Sequence, residues 1–513
     1  FSSWLPDAYP ESTVMGGVIL SAYTTKTAVY TLIRGFPGWE ILVPVGCVMA
    51  IYGIIYALLE NDMRRILAYS IINQVGFMVC GVGIGTKLAI AGVVAHAFCH
   101  IIYKALLWMS AGAVLFRTGK SKCTELGGLY KTMPLTMILG TIGALLERLG
   151  DPHKRLPPVL HVAGTNGKGS TCAMIDALGQ GLALRSGLFT SPHLIDYRER
   201  VRVNGLEITE EKTASLLTEL RELVADWEHH PTFFELTLAL GMRHFRDSEC
   251  DLIVLETGMG GRLDATTAIP ANVCVLTPIS LDHTKWLGST LDEIAREKAA
   301  IAIKGKPILS SPQDPEAEKA IRQVTNQTQA PLTFIKRPLL GYSLSLPGEH
   351  QRQNAALACE AIVAAGLHLS FDVVQHALQH IQWPGRFEKI NETLILDAAH
   401  NPHAAEALVK TWQTEFPKKK ASIIFGSVEE KATHGILSKL SEIAEEFHFV
   451  PVNSQRGLAP ESHVVKVKSV VHSDLASALD ATIGRTTLLT GSLFLLGEAK
   501  ALLSKNKFRT TSQ

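Results

Sequence analysis

Residues 159–171 read Val-Leu-His-Val-Ala-Gly-Thr-Asn-Gly-Lys-Gly-Ser-Thr, and the fold of most of this 513-residue chain follows from how that stretch is read. Val159–Ala163 is a short apolar run of the kind that forms a buried strand. It passes directly into Gly164-Thr165-Asn166-Gly167-Lys168-Gly169-Ser170-Thr171 and then into a helical stretch. A glycine-rich turn between strand and helix aims backbone N–H groups and a helix N-terminus at a phosphate, while the lysine adds charge and the Ser/Thr pair a magnesium contact. The turn departs from the usual P-loop in having Val162 where a glycine normally opens the motif. A glycine-rich turn alone is often no more than a turn, but Gly-Lys-Gly-Ser-Thr after a strand predicts phosphate binding.

The surrounding text supports that reading. From about Leu145 onward, short apolar runs alternate with polar helical stretches, which predicts an α/β fold with a parallel sheet. Leu252–Leu255 is a buried-strand run that ends in Glu256, and Val273–Leu276 is another, followed by Leu281-Asp282-His283. A carboxylate at the carboxyl end of a strand faces the crevice where α/β sheets bind ligands. Glu256 and His283, from successive strand ends, are therefore expected to meet at one divalent cation; the alternative is a pair of polar loops. Thr393–Leu396 followed by Asp397-Ala398-Ala399-His400-Asn401-Pro402 repeats the arrangement, with a helix N-cap and Asn-Pro turn as its plainer explanation.

The first part of the chain has a different solvent preference. Residues 1–145 carry 16 charged side chains, whereas the remaining 368 residues carry 81. Runs at Val14–Ile33, Ile41–Leu59, Ile66–Gly85 and Leu88–Phe116 approach or exceed the roughly 20 mostly apolar residues that cross a bilayer. A fifth, Thr132–Leu146, is shorter and stops at Glu147-Arg148. Ionisable groups are costly there, roughly 2.5–3.5 kcal/mol each on insertion scales. Lys26 sits within the first run, and His96, His100 and Lys104 recur every four residues on one face of the fourth. Singly, each reads as a snorkelling lysine or a histidine satisfied by nearby carbonyls; as a stripe they predict a hydrated, proton-handling path. Lys+Arg against Asp+Glu is 49 to 48, so no basic surplus argues for nucleic acid. The eight cysteines show no CxxC and no paired spacing, so neither a disulfide framework nor a zinc site is expected. The chain begins at Phe1 without a cleavable signal, which suggests a truncated gene product or an incomplete reading frame.

The strings HVAGTNGKGST (161–171), GLFTSPHLIDYRERVRVNG (187–205), TFFE (232–235), ETGMGGRLDAT (256–266), LDHTKWLG (281–288), IAREKAAI (294–301), GEHQRQNAALA (348–358), WPGRFE (383–388), DAAHNP (397–402) and LLTGSLFLLG (488–497) together resemble folylpolyglutamate synthase/dihydrofolate synthase, of the Mur ligase superfamily. The resemblance implies an α/β P-loop domain over 146–337 and a smaller C-terminal α/β domain over 338–513. It implies an ATP-dependent ligase adding L-glutamate to (tetrahydro)folate through an acyl phosphate, with Mg2+, and with dihydropteroate as a second candidate acceptor. Carried over by position, Thr165, Asn166, Gly167, Lys168, Gly169 and Ser170 would cradle the ATP phosphates. Asn354, Arg386, Asp397 and His400 would contact the nucleotide from the hinge and second domain. Ser191, Glu256, His283 and Lys298, the last carbamylated, would hold the metal, with Lys168, His283 and Lys298 as catalytic groups. Thr232, Phe233, Phe234, Glu235, Leu263, Asp264 and Ala265 match positions lining the pteroate site. Thr267, Ala300 and Ala398 stand where the family usually has Asn, Gly and Gly. If residue 398 needs positive φ, alanine there costs about 1–2 kcal/mol. The family's first helical stretch ahead of LERLGDPHKRLP (146–157) is missing, which bears on dihydrofolate synthase activity in particular.

A second resemblance covers residues 1–145. WLPDAYPES (4–12), TTKTAVYTLIRGF (24–36), RRILAYSIINQVGF (64–77), HAFCHIIYKALLWMSAG (96–112) and LGGLYKTMP (126–134) resemble the proton-translocating antiporter family, which includes the Mrp antiporter D subunit and antiporter-like subunits of respiratory complex I. Lys26, His96, His100 and Lys104 match its intramembrane ionisable residues, here a vestigial path because only the middle of such a subunit is represented. Arg64, Arg65, Arg117, Lys120, Lys122 and Lys131 follow spans two and four, against Arg34 and Lys87 after spans one and three. By the positive-inside rule the richer loops are cytoplasmic, and the apolar runs predict a four-span, multi-pass cell-membrane segment embedded in the lipid bilayer. The fifth run is expected not to cross but to form a surface or ligase-packed helix, leaving a monomeric ligase in the cytoplasm. The alternative reading is a fragment of a cation/proton antiporter or quinone-oxidoreductase subunit joined to the ligase by gene rearrangement or gene-calling. If the leader is such an artefact, the ligase is simply cytoplasmic.

Overall fold

The computed structural model describes residues 4–118, 121–122, 142–227, 230–428, 433–454 and 457–504. The chain divides into two compact units, Phe1–Met137 and Ile138–Gln513.

The first unit is helical. Leu42–Leu59, Met63–Ile84 and Lys87–Phe116 are long and apolar enough to cross a membrane, three helices where the sequence predicts four. The first expected run is helical too, but it is broken into Val14–Ile19, a π-helical turn at Leu20–Thr24, and Thr25–Gly35. A π turn releases carbonyls from the regular ladder, and Lys26 Nζ donates to one of them, Ser21 O, at 2.7 Å. His100 and Lys104 are buried, Lys104 Nζ donates to Ser70 Oγ at 2.7 Å, and the His96 and His100 rings stack 6.1 Å apart. The ionisable stripe thus faces the interior of this unit. Helices Leu42–Leu59 and Met63–Ile84 touch backbone to backbone: a Cβ on Gly53 would lie 2.4 Å from Asn73 N. Arg64, counted above as a loop cation, is buried instead; its Nη2 donates to Ser12 O at 2.8 Å and its guanidinium lies over Trp108. Of the other topology markers, Lys120 and Lys131 lie outside the described residues, as does most of the fifth run. The seven described cysteines are all free.

The second unit holds two sheets. Strands β1 (Val159–Ala163), β2 (Ser186–Phe189), β3 (Val201–Val203), β4 (Leu206–Glu207), β5 (Leu252–Glu256), β6 (Val273–Leu276), β7 (Ile308–Ser310) and β8 (Leu332–Phe334) form the first, in the order β4-β3-β2-β5-β1-β6-β7-β8. Only the β2–β3 and β3–β4 pairs are antiparallel. Both faces are covered: Val159 and Ala163 point into one core, Leu160 and Val162 into the other. That two-sided burial explains why the strands read as unbroken apolar runs rather than alternating ones. Strands β9 (Glu388–Lys389), β10 (Leu394–Leu396), β11 (Ala421–Phe425), β12 (Ala444–Phe449), β13 (Ser469–Val471) and β14 (Thr487–Thr490) form the second sheet, in the order β13-β12-β11-β14-β10-β9.

Packing moves both expected domain boundaries. The helices Glu349–Ala364 and Phe371–Gln379 fall, on the expected boundaries, in the smaller domain beginning at 338. Their apolar faces, including Ala355, Ala358, Ala361, Val374 and Leu378, instead fill the core under the first sheet beside helix Lys168–Gly181. Alanines on that face permit close helix approach, and the second α/β layer starts only after Trp383-Pro384. At the other junction, residues 142–148 form a helix whose Ile142, Leu145 and Leu146, with Leu149 beyond it, are buried in the first sheet's core. Arg148 anchors it through Asp226 at 2.6 Å and the Trp227 ring. The end of the fifth apolar run is core of the second unit, and the boundary expected at 145 runs through it.

Removing that packing has a readable cost. Leu146→Ala should destabilise the second unit by about 2–5 kcal/mol, the usual range for a fully buried leucine. The shift should appear in thermal unfolding of the detergent-solubilised chain, and an unchanged melting profile would show that the helix does not belong to this core.

Candidate active site

The order β2-β5-β1-β6 explains why distant motifs meet. Ser191 follows β2, Glu256 ends β5, the glycine-rich turn follows β1 and His283 follows β6, so four neighbouring strands deliver their carboxyl ends to one edge. β5 and β6 are not adjacent: β1 separates them, so Glu256 and His283 approach from either side of the turn rather than from successive positions.

The turn itself is tightly built. Gly164 has φ +149° and Gly167 φ +88°. A Cβ on Gly164 would fall 1.9 Å from Thr277 Oγ1, and one on Gly167 would fall 2.8 Å from Asn354 Oδ1. The Thr165 and Asn166 amides donate to Pro278 O at 3.0 and 3.1 Å, so they are already committed. The first helical bond runs from Thr171 N to Gly167 O, which leaves the N–H groups of Gly167, Lys168, Gly169 and Ser170 ahead of the ladder. Those four N–H groups and the Lys168 ammonium line a common cavity and are the candidate anion donors.

Buried charges gather beside it. The Glu256 carboxylate is buried, accepts Ser191 N at 3.1 Å, and is pushed above the ordinary carboxylate range by desolvation against the pull of Lys168 and Arg386. Lys298, on helix Leu291–Ala299, is also buried; its Nζ donates to Gly164 O at 2.8 Å, and burial with the Lys168 charge lowers it to about 7. On the second layer, the Asp397 carboxylate accepts Phe387 N at 2.8 Å and Ala399 N at 2.9 Å, and burial raises it against Arg386. His400 Nδ1 faces Ala398 O at 2.8 Å, and its Nε2 lies 3.6 Å from Asp282. Asn401 caps helix Pro402–Glu415 and pairs with Asn166 Oδ1 at 2.9 Å. Asn354 is buried and donates to Gln351 Oε1 at 3.0 Å, while Gln351 Nε2 reaches Ser170 Oγ at 3.3 Å.

One cavity of about 730 Å3 joins these groups. Thr165–Ser170, Ser191, Thr232, Phe233, Phe234, Glu256, His283, Lys298, Asn354, Arg386, Asp397 and His400 all line it. Glu235, Leu263, Asp264 and Ala265 do not. Glu235 is spent in a capping box with Thr232, and Asp264 accepts Thr266 Oγ1 and Met259 N to hold its own loop. The cavity also takes in residues that the motifs did not single out, notably His193, Arg200, Asp282, Lys285, Trp286, His350 and His403. His193 and Arg200 lie inside a quoted string but carried no periodicity or spacing signal of their own. Among the described residues no cluster of three or more His, Cys, Asp or Glu side chains has a metal-ligating arrangement. Ala398 is outside the left-handed region, so the expected strain at that position does not arise.

With the geometry in place, comparison with known proteins gives a consistent outcome. Residues 162–334 match the Mur ligase middle domain and 385–493 the Mur ligase glutamate ligase domain. The dihydrofolate synthase/folylpolyglutamate synthase of Bacillus subtilis is 32% identical over 407 residues, covering 71% of this chain and 94% of that protein. The chain belongs to the dihydrofolate synthase/folylpolyglutamate synthase family. The Escherichia coli member is likewise 32% identical, over 72% of this chain and 92% of its own length. Solved structures agree. Mycobacterium tuberculosis folylpolyglutamate synthase complexed with ADP superposes with a TM-score of 0.66 at 30% identity, over 72% of this chain and 95% of that one. The bifunctional Yersinia pestis enzyme with Mn, AMPPNP and L-glutamate bound gives 0.65 at 32% identity, over 71% and 94%. Residues 1–153 match the NADH:quinone oxidoreductase/Mrp antiporter transmembrane family. That match and the three apolar helices associate the first unit with a membrane.

Gly167→Ala tests the cradle. Left-handed backbone and the Asn354 side chain both oppose a Cβ there, so affinity for Mg·ADP should fall at least tenfold while the circular dichroism spectrum stays that of the parent. Equal affinity in calorimetric titration would exclude this turn as the phosphate site.

Proposed function

We propose that this chain is an ATP-dependent carboxylate–amine ligase that adds L-glutamate to (tetrahydro)folate. The observation that carries the reading is the shared cavity: the P-loop amides and Lys168 from the first layer and Arg386, Asp397 and His400 from the second face the same space. Relatives with the same two-layer fold bind ADP, AMPPNP with manganese, and L-glutamate. Dihydropteroate is the second acceptor in this reading, in keeping with the bifunctional names of those relatives.

Two anions must be brought together before any bond forms. Lys168 and the Gly167–Ser170 amides neutralise the terminal phosphate, while Arg386 approaches from the opposite wall with a planar fork that suits phosphate oxygens. A folate carboxylate oxygen attacks the terminal phosphorus and ADP departs. The glutamate amine then attacks the acyl carbon, sheds a proton, and phosphate leaves as the amide forms. Fixed donors and in-line placement supply the rate, because the barrier comes largely from charge and orientation.

The residues fit a divalent cation. Glu256 is a buried carboxylate beside Ser191, and His283 lines the same cavity, so the oxygen and imidazole donors suit Mg2+ or Mn2+. Such an ion, held by these residues, would supply charge neutralisation at the transferred phosphoryl group. Lys298 completes the set as a carbamate: its amine attacks CO2, loses a proton and gains an anionic oxygen pair. A buried lysine brought down to about 7 keeps a substantial unprotonated fraction at neutral pH, which that addition needs. Since only the free amine reacts, carbamate should accumulate as pH rises through 7. Labelled CO2 trapped on Lys298 should therefore be greater at pH 8 than at pH 6, and equal trapping at both would contradict the assignment.

Lys168→Ala tests the reaction as a whole. ATP hydrolysis dependent on both reduced folate and glutamate should fall at least a hundredfold. Glutamate incorporation that survives unchanged would remove the P-loop from the mechanism.

ATP sets the compartment. We place the second unit on the cytoplasmic side, with the 142–148 helix consumed by its core rather than crossing the bilayer. Protease added outside intact cells should leave the second unit uncut, and cleavage there would reverse the topology.

A further inference from the structure

Cys47 and Cys80 stand 33 positions apart in the sequence, on the helices Leu42–Leu59 and Met63–Ile84. Their sulfurs lie 3.6 Å from each other, and the Cys80 thiol donates to Val43 O at 3.3 Å. The thiols meet because the two backbones do. A Cβ on Gly83 would lie 2.8 Å from Val43 N, one on Gly46 would lie 2.6 Å from Cys80 N, and one on Gly76 would lie 2.6 Å from Ala50 N. A disulfide forms between Cα atoms about 4.4–6.8 Å apart, with the sulfurs closing to about 2 Å. Antiparallel helices in backbone contact supply the first condition, and rotation about the two Cα–Cβ bonds supplies the second.

Both sulfurs sit near the same end of the helix pair. Cys47 lies five residues beyond Leu42 and Cys80 four residues before Ile84, which puts them about 6–8 Å inside the helix ends at roughly 1.5 Å per residue. The chain crossing that end carries Phe36 and Trp39, whose exposed rings stack 5.1 Å apart, as aromatic side chains do at a membrane–water boundary. Gly38 N donates to Val82 O at 2.9 Å and ties this crossing to the helix end. Cys47 is exposed and Cys80 half-buried, so a reagent dissolved in the boundary layer reaches Cys47 first. At the opposite end Met63 N donates to Ser121 O at 2.9 Å, so the stretches beside Arg65 and Arg117 lie together. With those cationic ends cytoplasmic, as the positive-inside rule directs, the cysteine end faces outward, where disulfides form and persist.

We propose that Cys47 and Cys80 are a disulfide-forming pair, oxidised from the extracytoplasmic side by a disulfide-bearing oxidant. The Cys47 thiol loses its proton and its sulfur attacks one sulfur of the oxidant, giving a mixed disulfide and releasing one thiol. The Cys80 sulfur, deprotonated in turn, attacks the Cys47 sulfur and expels the oxidant's other sulfur as a second thiol. The protein gives up two electrons and two protons, and the oxidant gains both. The product staples two helices that glycine contacts otherwise hold by packing alone. The proposal shares the sidedness argued above and needs nothing from the ligase reading.

Right-side-out membrane vesicles carrying the full chain are treated with oxidised glutathione, then with an alkylating maleimide, and digested for mass spectrometry. Peptides holding Cys47 and Cys80 should be recovered joined to each other, with alkylation of both thiols down about tenfold and restored by dithiothreitol. Cys99, also exposed, should yield only alkylated thiol or its mixed disulfide with glutathione. Cys80→Ser should stop the exchange at the mixed disulfide of Cys47, and Cys47→Ser should leave Cys80 open to alkylation. Inverted vesicles, which turn the cysteine end away from the impermeant oxidant, should form the link at least about tenfold more slowly. Full alkylation of Cys47 and Cys80 after oxidation overturns the proposal. A link from either cysteine to Cys99 overturns it too, as does linkage confined to inverted vesicles. None of these measurements uses ATP or folate, so failure of the ligase reading leaves their outcome unaffected and the two failures are distinguishable.

Discussion

Adjacent strands in a sheet lie about 4.8 Å apart, so four neighbours bring their ends within roughly 15 Å of one another. In the second unit those neighbours are β2, β5, β1 and β6, all parallel, and all their carboxyl ends point the same way. Everything chemical in the cavity depends on that parallel order. Ser191, Glu256, the P-loop and His283 are separated by up to 118 positions between Thr165 and His283, yet each lies at a strand end or a short loop beyond one. An antiparallel neighbour would send its loop to the opposite edge. The antiparallel β3 and β4 are accordingly at the sheet margin, where the turn before β3 returns Arg200 to the same cavity.

The edge concentrates charge that could not be buried piecemeal. Glu256, Lys298 and Arg200 are buried, and Asp397 is half-buried beside them. Desolvation opposes the charged form of every one of them, raising the acids and lowering the bases. What keeps the cluster viable is mutual: Lys168 and Arg386 stabilise Glu256, Arg386 stabilises Asp397, and backbone amides take the remaining carboxylate lone pairs. The same arrangement leaves the site unbalanced toward binding, because its orphan helix amides, free guanidinium edges and partly neutral lysine are all complements of anions and CO2. Stability and reactivity here are two descriptions of one set of desolvated groups.

The sequence disclosed whatever was local. The strand–turn–helix at 159–171 was legible because steric and phosphate requirements act on consecutive residues, and its two positive-φ glycines are where the structure needs them. Glu256, His283, Asp397 and His400 were legible because each lies at the end of an apolar run or in the polar stretch that follows it. Strand order was not: nothing in the apolar runs says that β1 lies between β5 and β6. The same limit hid Arg200 and His193, which line the cavity only because the loop between β2 and β3 folds back toward it. It also misplaced both domain boundaries, since the alanine-rich face of Glu349–Ala364 reads equally well against either sheet. In the first unit, apolar length identified helices but could not reveal the π turn at Leu20–Thr24 or the burial of Arg64.

The helix at 142–148 shows how one short apolar segment can decide between two environments. Its residues belong to a run that scans like an incomplete membrane span, and the antiporter family match extends through it to residue 153. Yet Ile142, Leu145, Leu146 and Leu149 sit at 3% exposure or less in the α/β core. Four such side chains contribute about 6–12 kcal/mol at 1.5–3 kcal/mol each, which is comparable to the whole net stability of an ordinary domain, about 5–15 kcal/mol. The segment therefore cannot be drawn into lipid while the α/β unit remains folded. Polar Glu147 and Arg148 reinforce the choice, since the Arg148–Asp226 pair holds in water and would be costly in hydrocarbon. Competition between two apolar phases for the same side chains thus assigns this helix to the α/β core.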